Sequence, residues 1–219
     1  MLRNLLLTVC VLLVSSLMVF AQLSGNLSGT LGPGTYNVVG EITVQDGDSL
    51  SIAPGTVFNF DSSYEFTVNG YLYAVGSAND SIVFQPTTAN NDWMGITFED
   101  SSASGLMEYC LVTGSIEHGV HLRYADVDLN HCTFSENSIS EGYGRGGGVY
   151  AYYCHPRLEY CSFLDNVATS TEQGGAGGGG FAGYRSDAQL SHCYFEGNVA
   201  NYGGGFYAFY GSPSMEYSI

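Results

Sequence analysis

The sequence of 219 residues contains no lysine. This absence excludes a P-loop, whose lysine binds phosphates, and any Schiff-base chemistry. Only five residues are cationic, all of them arginine, against 21 acidic ones, so the formal net charge is −16. Because phosphate contacts need clustered cations, we expect no nucleic-acid partner. Charged residues make up only 12% of the chain, whereas 45% is hydrophobic and 14% aromatic, which excludes a disordered acidic tail.

The first 21 residues have the pattern of a secretory signal peptide. Arg3 provides the positive end, residues 5–14 provide an apolar core, and Val19 and Ala21 are the small residues of a cleavage site. This apolar stretch is shorter than the ~20 residues that a spanning helix needs. We therefore expect cleavage after Ala21, no membrane span in the mature chain, and a secreted or surface-displayed protein.

Four segments of the second half repeat one pattern of Cys, Phe, Asn and glycine. They begin at Cys110, Cys132, Cys161 and Cys193, the first being the weakest copy. The interval from the last glycine of each cluster to the next Cys position is always 13 residues, whereas the interval from Cys to glycine varies from 9 to 19. Stacked coils must keep register where strands bond and can differ at a protruding loop. The sequence therefore predicts an all-β solenoid.

Alignment of the coils on these glycines gives inward columns with a period of two, which is typical of strands. The columns are Val120, Val149, Phe181 and Phe206; Leu122, Ala151, Gly183 and Ala208; and Leu129, Leu158, Leu190 and Met215. Successive Cys positions are 22 to 32 residues apart. We therefore predict coils of that length, built from parallel strands and without helices.

The run of Cys-x-Phe-x-x-Asn followed by Gly-Gly-Gly resembles the right-handed parallel β-helix family, which has the pectin-lyase-like fold. It is similar in particular to the repeats of bacterial polymorphic outer-membrane proteins, and residues 42–96 are similar to the opening coils of secreted bacterial β-helix proteins. The resemblance implies a right-handed single-stranded β-helix, with a cap and first coils over residues 22–107 and repeat coils over residues 108–219. Residues 216–219 begin another Cys strand without a capping unit, so we expect a chain that is truncated at its C-terminus.

Two repeated columns are predicted to be structural. The cysteines Cys110, Cys132, Cys161 and Cys193 should lie about 4.8 Å apart with parallel Cβ vectors, which suits buried free thiols better than disulfides. The asparagines Asn137, Asn166 and Asn198 should stack at a turn, where amide side chains hydrogen-bond along the column and tolerate left-handed backbone angles.

Two outward columns bring acidic, imidazole and guanidinium groups together. Asp126, His155 and Asp187 lie seven residues after the aligned glycines, and Arg157 lies nine residues after its glycine. A carboxylate–histidine pair can act in general acid–base catalysis, and arginine can bind a sugar acid. These four residues are the candidate catalytic set of a polysaccharide lyase or glycoside hydrolase. The alternative is structural: His155 and Arg157 interrupt an otherwise repulsive acidic stack.

Tyrosines fill the neighbouring outward columns. The candidate ligand-binding residues are Tyr150, Tyr152, Tyr153, Tyr184, Tyr207 and Tyr210. Because tyrosine is amphipathic, such a stripe can stack on sugar rings or on another protein while its hydroxyl stays hydrated. The alternative is that tyrosine merely favours strands and packs against its cross-coil neighbours.

Calcium is the one cofactor that the sequence suggests, because turns rich in Asp and Asn could supply its oxygen ligands. The family scaffold carries enzymes, adhesins and structural proteins alike, so function depends on the site. The sequence favours a secreted or outer-membrane β-helix that acts as a structural stalk, an adhesin or a glycan-binding surface, with a polysaccharide or another cell-surface ligand as partner. A carbohydrate-active lyase or hydrolase of the β-helix type is the alternative.

Overall fold

The computed structural model of the protein describes residues 21–88, 92–140, 145–170 and 177–219. Residues 1–20, which contain most of the predicted signal peptide, lie outside the described residues. The described part contains strands and no helix. In chain order the strands are β1 Ala21–Asn26, β2 Gly29–Leu31, β3 Gly34–Val44, β4 Ser49–Ile52, β5 Thr56–Phe60, β6 Phe66–Val68, β7 Tyr71–Val75, β8 Ile82–Pro86, β9 Ile96–Glu99, β10 Ser104–Glu108, β11 Cys110–Thr113, β12 Val120–Arg123, β13 Val127–Asn130, β14 Thr133–Ser135, β15 Ser138–Ile139, β16 Val149–Tyr152, β17 Arg157–Glu159, β18 Ser162–Leu164, β19 Val167–Ala168, β20 Phe181–Tyr184, β21 Gln189–Ser191, β22 Tyr194–Glu196, β23 Val199–Ala200, β24 Phe206–Phe209 and β25 Ser214–Glu216.

Each coil crosses three faces in turn. The first face contains β6, β9, β12, β16, β20 and β24; the second contains β2, β4, β7, β10, β13, β17, β21 and β25; the third contains β5, β8, β11, β14, β18 and β22. The long strand β3 joins the first and third faces, because its first half pairs with β5 and its second half with β6. A short sheet of β15, β19 and β23 connects the later coils. The pairings are parallel, so the predicted fold, a parallel β-helix, is confirmed.

The strand registers place the aligned inward residues next to one another. The paired columns are Val120–Val149–Phe181–Phe206, Leu122–Ala151–Gly183–Ala208 and Leu129–Leu158–Leu190–Met215. Inside the third face, Phe134, Phe163 and Phe195 stack with ring centroids 5.2 and 4.6 Å apart. The inward side chains of adjacent coils form an apolar core along the axis. Met215 differs from the prediction, because it is paired in register with Leu190 but is 42% exposed.

The glycines that precede the first-face strands allow the coils to approach closely. A Cβ atom on Gly148 would lie 2.5 Å from the carbonyl oxygen of Gly180, and one on Gly180 would lie 2.6 Å from that of Gly205. Such a separation is shorter than a van der Waals contact, so a side chain at these positions would push the coils apart. The coils can therefore pack at this spacing only because these positions are glycine.

Cys110, Cys132, Cys161 and Cys193 occupy one buried column, and all are free thiols. The Cys132 Sγ donates to the carbonyl oxygen of Met107 at 3.3 Å, and the Cys161 Sγ donates to that of Leu129 at 3.2 Å. The thiols thus bond backward to the preceding coil. Cys154, outside this column, is also buried and free, and burial raises the pKa of its thiol to about 12.

The asparagines form a continuous amide column. The Asn137 Nδ2 donates to the Asn166 Oδ1 at 3.0 Å, and the Asn166 Nδ2 donates to the Asn198 Oδ1 at 2.9 Å. One detail of the prediction is wrong, because none of these asparagines has a left-handed backbone. The positive φ angles belong to the residue before each one, namely Glu136, Asp165 and Gly197. The asparagine side chain bridges coils at the turn, while its predecessor makes the bend.

Candidate functional site

Aromatic side chains cover the outside of the first face over its last four coils. They project from β16, β20 and β24 and from the residues that follow β12, β16 and β24, which are Tyr124, Tyr153 and Tyr210 and have left-handed φ angles of 52 to 59°. We name as the aromatic face Tyr124, Tyr150, Tyr152, Tyr153, Tyr184, Tyr207, Phe209 and Tyr210. All six tyrosines that the sequence predicts as ligand-binding residues lie on it.

The rings of the aromatic face contact one another from coil to coil. Tyr152 stacks on Tyr184 with ring centroids 5.4 Å apart and planes inclined by 14°, and Tyr153 lies 4.6 Å from Tyr152. Tyr184 in turn lies 6.0 Å from Tyr210. The rings nevertheless keep access to solvent: Tyr153 is 37% exposed and Tyr210 is 66% exposed. The rings therefore pack against their cross-coil neighbours, as the structural alternative predicts. They also keep the exposed area that the binding alternative requires.

Three of the five arginines of the chain belong to this face. Arg123 binds Glu99 through Nη1 and Oε1, which are 2.6 Å apart. The Arg145 guanidinium lies over the Tyr184 ring, 5.2 Å from its centroid. Arg185 follows β20 and lies 5.3 Å from the centroid of Tyr153. Although the chain has a net charge of −16, three arginine side chains therefore lie at the aromatic face.

Two recesses adjoin the aromatic face. A pocket of about 460 Å³ at its earlier coils is lined by polar groups that include Gln45, Asn69, Asp100 and Arg123. A shallower groove of about 240 Å³ lies on the face itself and is lined by His121, Arg123, Tyr150 and Tyr152. Hydrogen-bonding groups at one end and rings along the remainder are the two components that a carbohydrate surface requires.

Two neighbouring histidines, the buried His118 and the half-buried His121, lie beside the aromatic face. The His118 Nδ1 donates to the carbonyl oxygen of Gly146 at 2.9 Å, and its ring lies 4.8 Å from that of His121. Burial lowers the pKa of His118 to about 4. Burial, the neighbouring His118 and Arg123 lower the pKa of His121 to about 3. Both imidazoles are therefore neutral at physiological pH, and we infer that they pack against the face.

The residues of the predicted catalytic set lie where the alignment places them. The Asp126 Oδ1 accepts from the backbone N–H of His155 at 2.6 Å, and the His155 Nδ1 accepts from that of Asp187 at 3.3 Å. The His155 Nδ1 and the Asp187 Oδ2 are 3.7 Å apart. Asp187 continues the series by accepting from the N–H of Ser212. Each side chain thus bonds to the backbone of the next coil.

Arg157 completes that predicted set from the second face. It pairs in register with Asp128 on one side and Gln189 on the other. The guanidinium makes no ion pair with any carboxylate of the described residues. The assignment of Asp126, His155, Asp187 and Arg157 to catalysis, and with it the lyase or hydrolase alternative, stays a prediction.

A second aromatic column follows the turn before the cysteines. Tyr109, His131, Tyr160, His192 and Tyr217 stack in this order, with centroids 4.6 to 5.1 Å apart. Each has a left-handed φ angle. Because a tyrosine ring separates the two histidines, they cannot share a metal ion. Within the described residues no group of three or more His, Cys, Asp or Glu side chains is arranged to hold a metal ion, and calcium binding stays a prediction.

A family model described as the right handed beta helix region matches residues 72–218. The chain belongs to the right-handed β-helix family. No curated protein and no solved structure matches it. For the residues that the structure describes, no helix combines the length and the apolar character required to cross a membrane.

Membership of the right-handed β-helix family fixes the coil and leaves the activity to the outward side chains. Sequence reasoning missed two of these side chains, Arg145 and Arg185. Arg185 lies five residues after Gly180, in the same column as Tyr124 and Tyr153, so the alignment contained the signal. Arg145 precedes the glycines in the arc of variable length, where no alignment assigns it a neighbour.

Proposed function

We propose that this protein is a secreted or cell-surface β-helix that binds a glycan through its aromatic face and so acts as an adhesin or a binding stalk. The observation that carries the proposal is the contact of partly exposed tyrosines across successive coils. At about 4.8 Å per coil, four coils give a face about 15 Å long, enough for a short oligosaccharide. Tyrosine rings offer apolar faces to sugar C–H groups, and their hydroxyls remain hydrated.

The rigidity of the scaffold supports this proposal. Tyr150 and Tyr152 project from β16, which is hydrogen-bonded to β12 and β20 on either side. Rings held by a sheet and by each other lose little conformational entropy when a ligand binds. A protein surface could also use tyrosines, but the neighbouring polar pocket favours a ligand that is rich in hydroxyl groups.

The test is a glycan array probed with residues 22–219 as wild type and as the double variant Tyr152→Ala/Tyr184→Ala. We expect the double variant to bind its glycans about tenfold more weakly or worse, because two stacking rings are removed from the centre of the face. The matched control is Tyr71→Ala/Tyr73→Ala, which removes two tyrosines that are each 43% exposed on the second face. Equal binding by wild type and the Tyr152/Tyr184 variant, or no glycan bound by either, contradicts the proposal.

A further inference from the structure

The Arg185 guanidinium lies among three tyrosine rings of the aromatic face. Its central carbon is 5.3 Å from the ring centroid of Tyr153, 5.6 Å from that of Tyr210 and 6.0 Å from that of Tyr184. The side chain is nonetheless exposed. Cation–π contacts of this kind hold a guanidinium in place while leaving the N–H donors at its edge to bind other groups.

Among the residues that the structure describes, no carboxylate forms an ion pair with Arg185. Arg123, in contrast, forms an ion pair with Glu99. The chain has 21 acidic residues, so an exposed arginine that forms no ion pair within the described residues is unusual in this protein. The Arg145 guanidinium also lies at this face, over the rings of Tyr184 and Phe209.

A guanidinium fixed in this way is prepared for a planar or tetrahedral oxyanion. Its fork of donors matches the oxygens of a carboxylate or a sulfate, and a charge-assisted pair is about twice as strong as a neutral hydrogen bond. The net charge of −16 has the opposite effect at long range, because it repels a polymer that carries many negative charges. A ligand with one acidic group gains the local contact and suffers little of the repulsion.

We propose that the aromatic face selects glycans that carry a single isolated acidic group, a carboxylate or a sulfate, and that Arg185 binds this group. The inference rests on the proposed glycan-binding function and adds the charge class of the ligand. Of the other two arginines at this face, Arg123 is neutralised by Glu99, and the Arg145 guanidinium lies over the Tyr184 ring.

The test is an array of glycans in matched pairs, in which each neutral oligosaccharide has one partner with a single carboxylate and one with a single sulfate. We expect the acidic partners to bind wild type about tenfold more tightly than the neutral ones. Arg185→Gln should reduce the ratio of acidic to neutral binding to about one, and Arg185→Lys should keep part of the preference. Ser49→Asp, on the second face, makes the same change in net charge and should keep the full preference.

The outcomes distinguish the inference from the function on which it rests. If neutral and acidic partners bind equally, or if Arg185→Gln keeps the preference, the inference is wrong and the glycan-binding function stands. If no glycan binds, the function itself is wrong. Dextran sulfate and dextran provide a further pair: tighter binding of dextran sulfate than of any singly charged glycan would also overturn the proposal. A larger gain with one of the two acids identifies the group that the site accepts.

Discussion

At the residue scale, side chains of this protein bond mainly along the axis, from one coil to the next. The Asn166 Oδ1 accepts from the N–H and the Nδ2 of Asn137, while its Nδ2 donates to the Phe134 carbonyl and to Asn198. Asp126 likewise accepts a hydrogen bond from the backbone N–H of His155 in the next coil. Periodicity in the sequence predicts which residues are neighbours, but not which atoms bond, because the bond depends on side-chain direction.

Replacement of Asn166 tests the amide column. Asn166→Ala removes four hydrogen bonds in a fully buried position and leaves their partners unsatisfied, so we expect a loss of about 3 kcal/mol in the free energy of unfolding. Urea denaturation followed by circular dichroism measures it. Asn26→Ala is the control, because Asn26 is exposed and shares one hydrogen bond with Gln45, so its loss should stay below about 0.5 kcal/mol. Equal stability of the two variants would contradict the structural role of the column.

A pH dependence follows from His118. Its pKa is about 4 in the folded chain and near 6.5 when unfolded, because burial disfavours the charged imidazole. Below pH 6.5 the unfolded chain takes up a proton that the folded chain does not, so this contribution to stability is present above pH 6.5 and is lost as the pH falls towards 4. Between pH 7 and pH 5 we expect a loss of about 2 kcal/mol.

The matched variant for this pH dependence is His118→Asn, which keeps an N–H donor for the Gly146 carbonyl and does not titrate. Urea unfolding at pH 7 and at pH 5 should show a smaller loss in the variant than in wild type. His121 also stays neutral and adds to the loss in wild type. Because His118 helps to lower the pKa of His121, His121 contributes no more in the variant than in wild type, so the expected difference keeps its sign. An identical loss in the two chains would mean that His118 is not buried in its neutral form.

At the element scale, the coil depends on the close approach of the strands at its glycines. Gly148→Ala places a methyl group 2.5 Å from the Gly180 carbonyl oxygen, and we expect a loss of about 2 kcal/mol as the coils separate. Gly183→Ala, in the adjacent first-face strand, is the control, because Ala151 and Ala208 already occupy the same column and the nearest atom would be 3.3 Å away. Thermal unfolding measures both. A neutral Gly148→Ala would show that the coil spacing is not fixed there.

The predictability of each element follows from its place in the coil. The arc from glycine to Cys has a constant length, so every first- and second-face column of the later coils could be read from the sequence. Arg145 lies in the variable arc, so no constant interval predicts its position over Tyr184. The left-handed turns before the asparagines were misplaced by one residue, because side-chain type alone does not separate the bend from the residue that bridges it.

At the scale of the whole molecule, a rod of stacked coils presents each outward column as a continuous stripe. The aromatic face is one such stripe. Membership of the right-handed β-helix family explains the rod, whereas the binding function depends on which side chains the coils present.

Export is the first prediction at this scale. If residues 1–21 are a signal peptide, the chain recovered from the medium or the cell surface should begin at Gln22, which intact-mass spectrometry of the protein expressed in a Gram-negative host measures. Mutation of Ala21 to a bulky residue such as Phe should block this cleavage. A recovered chain that still begins at Met1 would contradict the prediction.

The most direct measurement of the central claim is an NMR titration of the chain labelled with ¹³C in its tyrosine rings, using the glycan that binds best on the array. The account predicts that the ring signals of Tyr152, Tyr153, Tyr184 and Tyr210 shift together and saturate at one concentration. The signals of Tyr71 and Tyr73, on the second face, should not move. Shifts confined to Tyr71 and Tyr73, or no shift in the four rings at saturation, would contradict a binding role for the aromatic face.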